Sequence, residues 1–153
     1  MVRKSREDAL ATREQLLDAA EQVFRARGVG NATLEEVAAA AGMTRGAVYH
    51  HFDSKAEIFE ALVRRADMPM DAAFHEACGA VDDPLGVFRD LAVSALRHLA
   101  SSPRVRKVYE IVFMRCEYTD ELAPVARRQK KDANQCLAQC GTLLDQAVAL
   151  GQL

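Results

Sequence analysis

Arg45, Tyr49, His50 and Lys55 all fall within one short stretch, TLEEVAAAAGMTRGAVYHHFDSK at 33–55. Between them they can recognise a phosphodiester and the edge of a base. A guanidinium donates to guanine O6 and N7 together, which makes Arg45 the candidate base reader. Gly46 and Ala47 beside it are small enough to admit close approach, and the Ala47 methyl can meet a thymine methyl. Tyr49 and His50 can donate to phosphate oxygens. Lys55 adds a cation in the first turn of the next helix, beside that helix's positive dipole end. Thr33 and Thr44 can each offer a hydroxyl or a backbone N–H to phosphate.

Such a set works only if short helices hold it on one face, and the flanking residues predict them. Thr33 with Glu36 three residues on forms a capping box that starts a helix at Leu34. Leu34, Val37, Ala38 and Ala41 form its buried face, Gly42 stops it, and Met43 packs under the turn. Thr44 caps a third helix of barely two turns that ends at His50 or His51, and Phe52 closes it from the core side. Asp53 or Ser54 caps a fourth helix with Ile58, Phe59, Leu62 and Val63 along its apolar stripe; Pro69 marks a kink or break. A first helix over 7–27 precedes them, with Leu10, Leu16, Leu17, Ala20, Val23 and Phe24 inward and Arg13, Glu14, Asp18 and Glu21 outward. Gly28 ends it. The arrangement is a helix-turn-helix. A bare pattern of this length also occurs in proteins that never meet DNA, where Thr33 and Thr44 simply cap helices.

Composition bounds the rest. Half of the 153 residues are hydrophobic and no alternating Val/Ile/Thr run exceeds a few residues, so the expected class is all-α. Net charge is −2, and residues 1–65 carry ten Lys+Arg against ten Asp+Glu. Contact with DNA must therefore come from local placement of cations, including Arg3, Lys4 and Arg6 in an N-terminal arm. The N-terminus lacks a signal-peptide pattern and no apolar run is long enough for a membrane span. A cytoplasmic protein with reduced thiols is expected.

Two domains are expected: a DNA-binding domain over 1–65, and a helical regulatory domain over 66–153. In the second, Asp83 and Pro84 start a helix with an apolar face of Leu85, Phe88, Leu91, Ala92, Ala95, Leu96 and Leu99. Ser102 and Pro103 restart another, carrying Val105, Val108, Tyr109, Val112 and Phe113. A last helix, capped by Thr119 or Asp120, runs almost to Leu150 with a stripe that includes Cys136, Leu137, Cys140, Leu143, Ala147 and Val148. Cys78, Cys116, Cys136 and Cys140 are unpatterned; the last two are one turn apart without a His to complete a metal site. His50 and His51 have no nucleophile or carboxylate at a fixed offset, so no catalysis, metal or cofactor is expected.

The stretch TREQLLDAAEQVFRARGVGNATLEEVAAAAGMTRGAVYHHFDSKAEIFEAL at 12–62 resembles the N-terminal domain of the TetR family of transcriptional repressors. DDPLGVFRDL at 82–91 and EIVFMRCEYTDEL at 110–122 are similar to its AcrR-like branch, which represses multidrug efflux pumps. The resemblance implies that Thr33, Thr44, Arg45, Gly46, Ala47, Tyr49, His50 and Lys55 line an operator face, although this branch usually has Trp where His50 stands. It implies a homodimer on a pseudo-palindromic operator in double-stranded DNA, released by a hydrophobic small-molecule inducer. Inducer contacts would then be Phe88, Leu91, Ala92, Ala95, Tyr109, Phe113, Cys136 and Cys140. Periodicity alone reads the same residues as ordinary core. The family continues into two further helices that pack across the dimer, and Leu153 falls where they should begin. Dimerisation through the 120–150 helix is one expectation; a non-repressing partner of a full-length paralogue is the alternative. A small helical ligand-binding or thiol-sensing protein is a third.

Overall fold

In a computed structural model of the chain, residues 6–66, 81–117 and 119–153 are described. The expectations for Arg3, Lys4, Pro69 and Cys78 lie outside them. Helices α1 (Arg6–Arg27), α2 (Leu34–Ala40), α3 (Arg45–Tyr49) and α4 (Lys55–Arg65) are followed by α5 (Pro84–Ser101) and α6 (Pro103–Met114). A 3-10 turn (Asp120–Leu122) then leads into α7 (Ala123–Ala149). The fold is all-α, with no strand among the described residues.

Two compact units result. Among the described residues, the first holds 6–66 together with 107–117 and 119–123; the second holds 81–106 and 124–153. The segment 107–123, which the sequence places in the regulatory domain, thus packs with the first unit.

In the first unit the core is apolar and continuous. Leu16, Leu17, Ala20 and Phe24 of α1 are buried with Val37, Val48, Phe52, Ile58, Phe59 and Leu62, and the Phe24 and Phe59 rings meet edge to face at 6.5 Å. Leu10 departs from the expected stripe: it is exposed, because the buried face of α1 begins only at Leu16. Glu21, expected on the solvent face, is buried. It survives there because Lys107 Nζ lies 3.0 Å from one carboxylate oxygen and Arg65 3.6 Å from the other; an unpaired buried carboxylate would be driven out to water. Gly28 ends α1 at φ 80°. A Cβ there would meet Arg115 O at 3.3 Å, the carbonyl that accepts the Val29 N–H at 2.8 Å.

The second unit contains α5, the start of α6, and all of α7 except its first residue. Asp83 caps α5 by accepting the Gly86 N–H at 2.9 Å. Any side chain at Gly86 would collide with that carboxylate, since a Cβ would lie 2.1 Å from Asp83 Oδ2. Gln152 ties the C-terminal turn to the same cap, donating to Asp83 Oδ1 and accepting from the Leu85 N–H, both at 3.1 Å. Leu143 and Ala147 of α7 are buried. Leu96, Leu137 and Val148 belong to the expected stripes yet stand exposed: the apolar faces of α5 and α7 are wider than the part of each that is buried.

Candidate nucleic-acid interface

The α2–α3 corner is built from caps. Thr33 Oγ1 accepts the Glu36 N–H at 3.2 Å and Glu36 Oε2 accepts the Thr33 N–H at 2.9 Å, so the expected capping box is closed. Gly42 turns the chain at φ 66°, and Thr44 Oγ1 accepts the Ala47 N–H at 3.3 Å to open α3. Five residues make no stable helix alone. Burial of Val48 and of Phe52 just beyond pins α3 to the core, with Arg13 of α1 stacked 4.6 Å from the centre of the Phe52 ring. Thr33, Thr44, Arg45, Gly46, Tyr49 and His50 are exposed and Ala47 is half-buried.

Arg45 is the centre of a small exposed cluster. Its Nη1 lies 2.7 Å from Glu35 Oε1 on α2. Its Nη2 donates to the Tyr49 hydroxyl at 3.1 Å, and its guanidinium carbon sits 5.2 Å from the centre of the Tyr49 ring. The Tyr49 hydrogen bond first, and the Glu35 charge second, push the guanidinium pKa further up, so it stays charged. The imidazole of His50 meets that of His51 edge to face at 5.3 Å.

Lys55 is placed otherwise than the sequence suggested. Its side chain is turned inward, with Nζ donating to Gly30 O at 2.8 Å and Ala32 O at 3.1 Å and lying 3.5 Å from Glu121 Oε2. Only 8 % of the residue is exposed, so its ammonium braces the loop before α2 and does not face outward. The physical reason lies far off in sequence: the loop before α2 leaves two carbonyls inside the unit without helical partners, and a buried carbonyl needs a donor.

The expected inducer contacts divide between the units. Phe88, Leu91, Ala92 and Ala95 lie half-buried on α5, and Cys136 and Cys140 half-buried on α7. Tyr109 and Phe113 belong to the first unit, stacked at 5.5 Å, with Phe113 74 % exposed. Burial pushes the Cys116 thiol up, away from the reactive thiolate. Among the described residues no cluster of His, Cys, Asp or Glu could hold a metal, and no helix is long and apolar enough to cross a membrane.

Sequence reasoning missed Glu35 and the Glu21–Arg65–Lys107 set. Helical periodicity reports which face of one helix is apolar; it carries no signal for charge pairs between helices far apart in the chain. Glu35 was readable only as an acid in a first turn, and Arg65 only as a cation in a last turn.

Comparison with known proteins gives this corner its context. Residues 16–62 match the family described as bacterial regulatory proteins, tetR family, and residues 83–153 match the MAATS-type transcriptional repressor, C-terminal region. The chain is 40% identical over 153 residues to the HTH-type transcriptional repressor BepR of Brucella suis, covering 99% of this chain and 73% of that protein. It is similar to NalD, the secondary repressor of the MexAB-OprM multidrug efflux pump in Pseudomonas aeruginosa. There the identity is 34% and the TM-score 0.79, over 90% of this chain and 68% of that one. SmeT, the repressor of the Stenotrophomonas maltophilia multidrug efflux pump SmeDEF, is 34% identical in its complex with triclosan, with a TM-score of 0.73 over 92% of this chain and 68% of that one. With both regions matched and a relative 40% identical along nearly the whole of this chain, the chain belongs to the TetR family of transcriptional regulators.

Proposed function

We propose that this regulator represses a multidrug efflux operon in the cytoplasm, binding a pseudo-palindromic operator as a homodimer and leaving it when a hydrophobic drug-like molecule binds. The observation that carries the DNA reading is the α3 surface: Arg45, Tyr49 and His50 exposed on a helix whose other side is fixed by Val48. Arg45 reads a guanine in the major groove, and Gly46 and Ala47 let α3 approach it. Tyr49, His50 and the capped Thr33 and Thr44 hold phosphates. Lys55 supports this surface from within and is not assigned a phosphate. A dimer is needed because two such helices must enter successive major grooves on one face of the duplex.

The efflux target is supported by the kinship with NalD and SmeT, and the inducer by the SmeT–triclosan complex. Inducer contacts are assigned to Phe88, Leu91, Ala92, Ala95, Cys136 and Cys140 of the second unit; Tyr109 and Phe113 of the first unit are tested separately, by substitution. Release follows from linkage: the molecule must bind the DNA-incompetent state more tightly than the competent one.

The test is a nuclease footprint on the DNA upstream of the gene, followed by titration of the protected duplex. Arg45→Ala should weaken specific binding about 10- to 100-fold, the worth of a good bidentate base contact. Triclosan should lower operator affinity in the unaltered protein. No footprint at low salt with a confirmed dimer would sink the repressor reading. Triclosan binding without a change in operator affinity would remove the switch.

A further inference from the structure

The Arg45 guanidinium already has partners before any DNA arrives. Glu35 Oε1 holds one terminal nitrogen at 2.7 Å, and the Tyr49 hydroxyl accepts from the other at 3.1 Å. The two helices contribute differently. The closed capping box fixes the first turn of α2 and with it the position of Glu35, while Arg45 and Tyr49 stand one turn apart on α3. All three side chains face solvent on the surface proposed to meet DNA.

The competition for that guanidinium is chemical. A phosphate on a duplex of arbitrary sequence offers charged oxygens, much as the Glu35 carboxylate does, and gains little by displacing it. A guanine offers O6 and N7 together to the guanidinium fork at one base-specific position in the groove, whereas phosphate oxygens, which can also accept from both arms of the fork, recur along the backbone whatever the sequence. We propose that Glu35 is a specificity-determining residue, holding the Arg45 guanidinium away from backbone phosphates and yielding it only to a correctly placed guanine. Tyr49 is the second half of the device, since its hydroxyl and ring keep the guanidinium on the α3 surface when the carboxylate lets go. This inference rests on the reading of Arg45 as the base reader.

The experiment compares the full chain with Glu35→Gln, Glu35→Ala, Arg45→Ala and the Glu35→Gln/Arg45→Ala pair. Each is titrated by fluorescence anisotropy against the footprinted duplex and against a scrambled duplex of the same composition, across a salt series. An exposed ion pair sets the scale, so losing the carboxylate should tighten scrambled-DNA binding about three- to fivefold while operator binding changes less than about twofold. The salt slope on scrambled DNA should steepen by about one phosphate as Arg45 takes up a backbone contact. With Arg45 already gone, Glu35→Gln should add nothing. Thermal unfolding of each variant separates these effects from damage to α2, and Glu35→Ala must reproduce the result of Glu35→Gln. Equal tightening on both duplexes would mean simple charge repulsion and overturn the proposal, as would no change on either. If Arg45→Ala still costs operator affinity in those cases, the base-reading assignment survives alone. If Arg45→Ala costs nothing, both fall.

Discussion

Arg45 and Arg65 lie in the same compact unit, each against carboxylates, and they do opposite things. The Arg45 side chain is 60% exposed and faces one acid, Glu35. That of Arg65 is 9% exposed and is held by Glu14 at 3.2 Å, Asp18 at 2.5 Å and Glu21 at 3.6 Å, fastening the end of α4 to α1. Lys107 joins the same seam through Glu21, and one turn along α1 Arg25 meets Glu110 at 2.8 Å. Water screens the first arrangement, so its guanidinium can be drawn off by a better acceptor. In the second, the Arg65 and Glu21 side chains are buried together, where a charge needs a partner, while Glu14 and Asp18 hold Arg65 from the half-exposed rim. Which cations are available to DNA is therefore decided by burial, not by residue type or nearness to the recognition helix.

The strongest way to break this contrast is to neutralise each arginine in turn. Arg65→Met should lower unfolding stability by about 1.5–3 kcal/mol, because it removes one of the two cations that hold the buried Glu21 and the partner of Glu14 and Asp18. Arg45→Met should change it by less than about 0.5 kcal/mol, as surface substitutions do. Urea denaturation followed by circular dichroism measures both. Should the two variants unfold at the same denaturant concentration, the buried seam holds nothing and the distinction collapses.

Lys55 comes next, since it stands between the classes. Lys55→Met removes the donor to Gly30 O and Ala32 O, and should cost about 2–3 kcal/mol as those carbonyls lose their partner. DNA affinity measured where the variant remains folded should stay within about twofold, because the ammonium contributes no phosphate contact and the salt slope is unchanged. A tenfold loss of affinity with unaltered stability would return Lys55 to the DNA-facing set.

These cases show what the sequence could and could not disclose. The caps at Thr33, Thr44 and Asp83, the stop at Gly28 and the core faces around Leu16, Phe24 and Phe59 were legible, because each is written within a few residues of itself. Phe52 was legible as the core-side end of α3, whereas the burial of Val48, which leaves Arg45, Tyr49 and His50 exposed, came only with the structure. Lys55 was misread for want of long-range information. Its partners at Gly30 and Ala32 lie more than twenty residues away in a loop whose carbonyls no helix satisfies. Phe113 and Leu137 extend apolar stripes, but a stripe says only that a face is apolar and not that another element covers it.

The smallest effect is the pH response of an exposed pair near the recognition surface, and it tests whether exposure leaves any structural role. The Glu36 carboxyl is held below its ordinary range, first by the Thr33 N–H, against a smaller opposing effect of desolvation, and then by the Arg27 charge, 3.0 Å away. A carboxyl with a depressed pKa in the folded state contributes stability that is complete above its unfolded pKa and is lost as pH falls through the folded value. Glu36→Gln removes the titration while keeping an acceptor for the Thr33 N–H. The unaltered protein should therefore melt above Glu36→Gln at neutral pH, and the gap should close as pH drops through and below the ordinary carboxylate range. Thr33→Ala should shrink the same pH-dependent gap, because that hydroxyl also donates to Glu36 at 3.2 Å and its loss opens the capping box. A gap that stays constant from neutral to acid pH would show that the charge on Glu36 adds nothing to the cap. The Glu36–Arg27 pair would then lend the fold no ionic support, in contrast to the seam around Glu21.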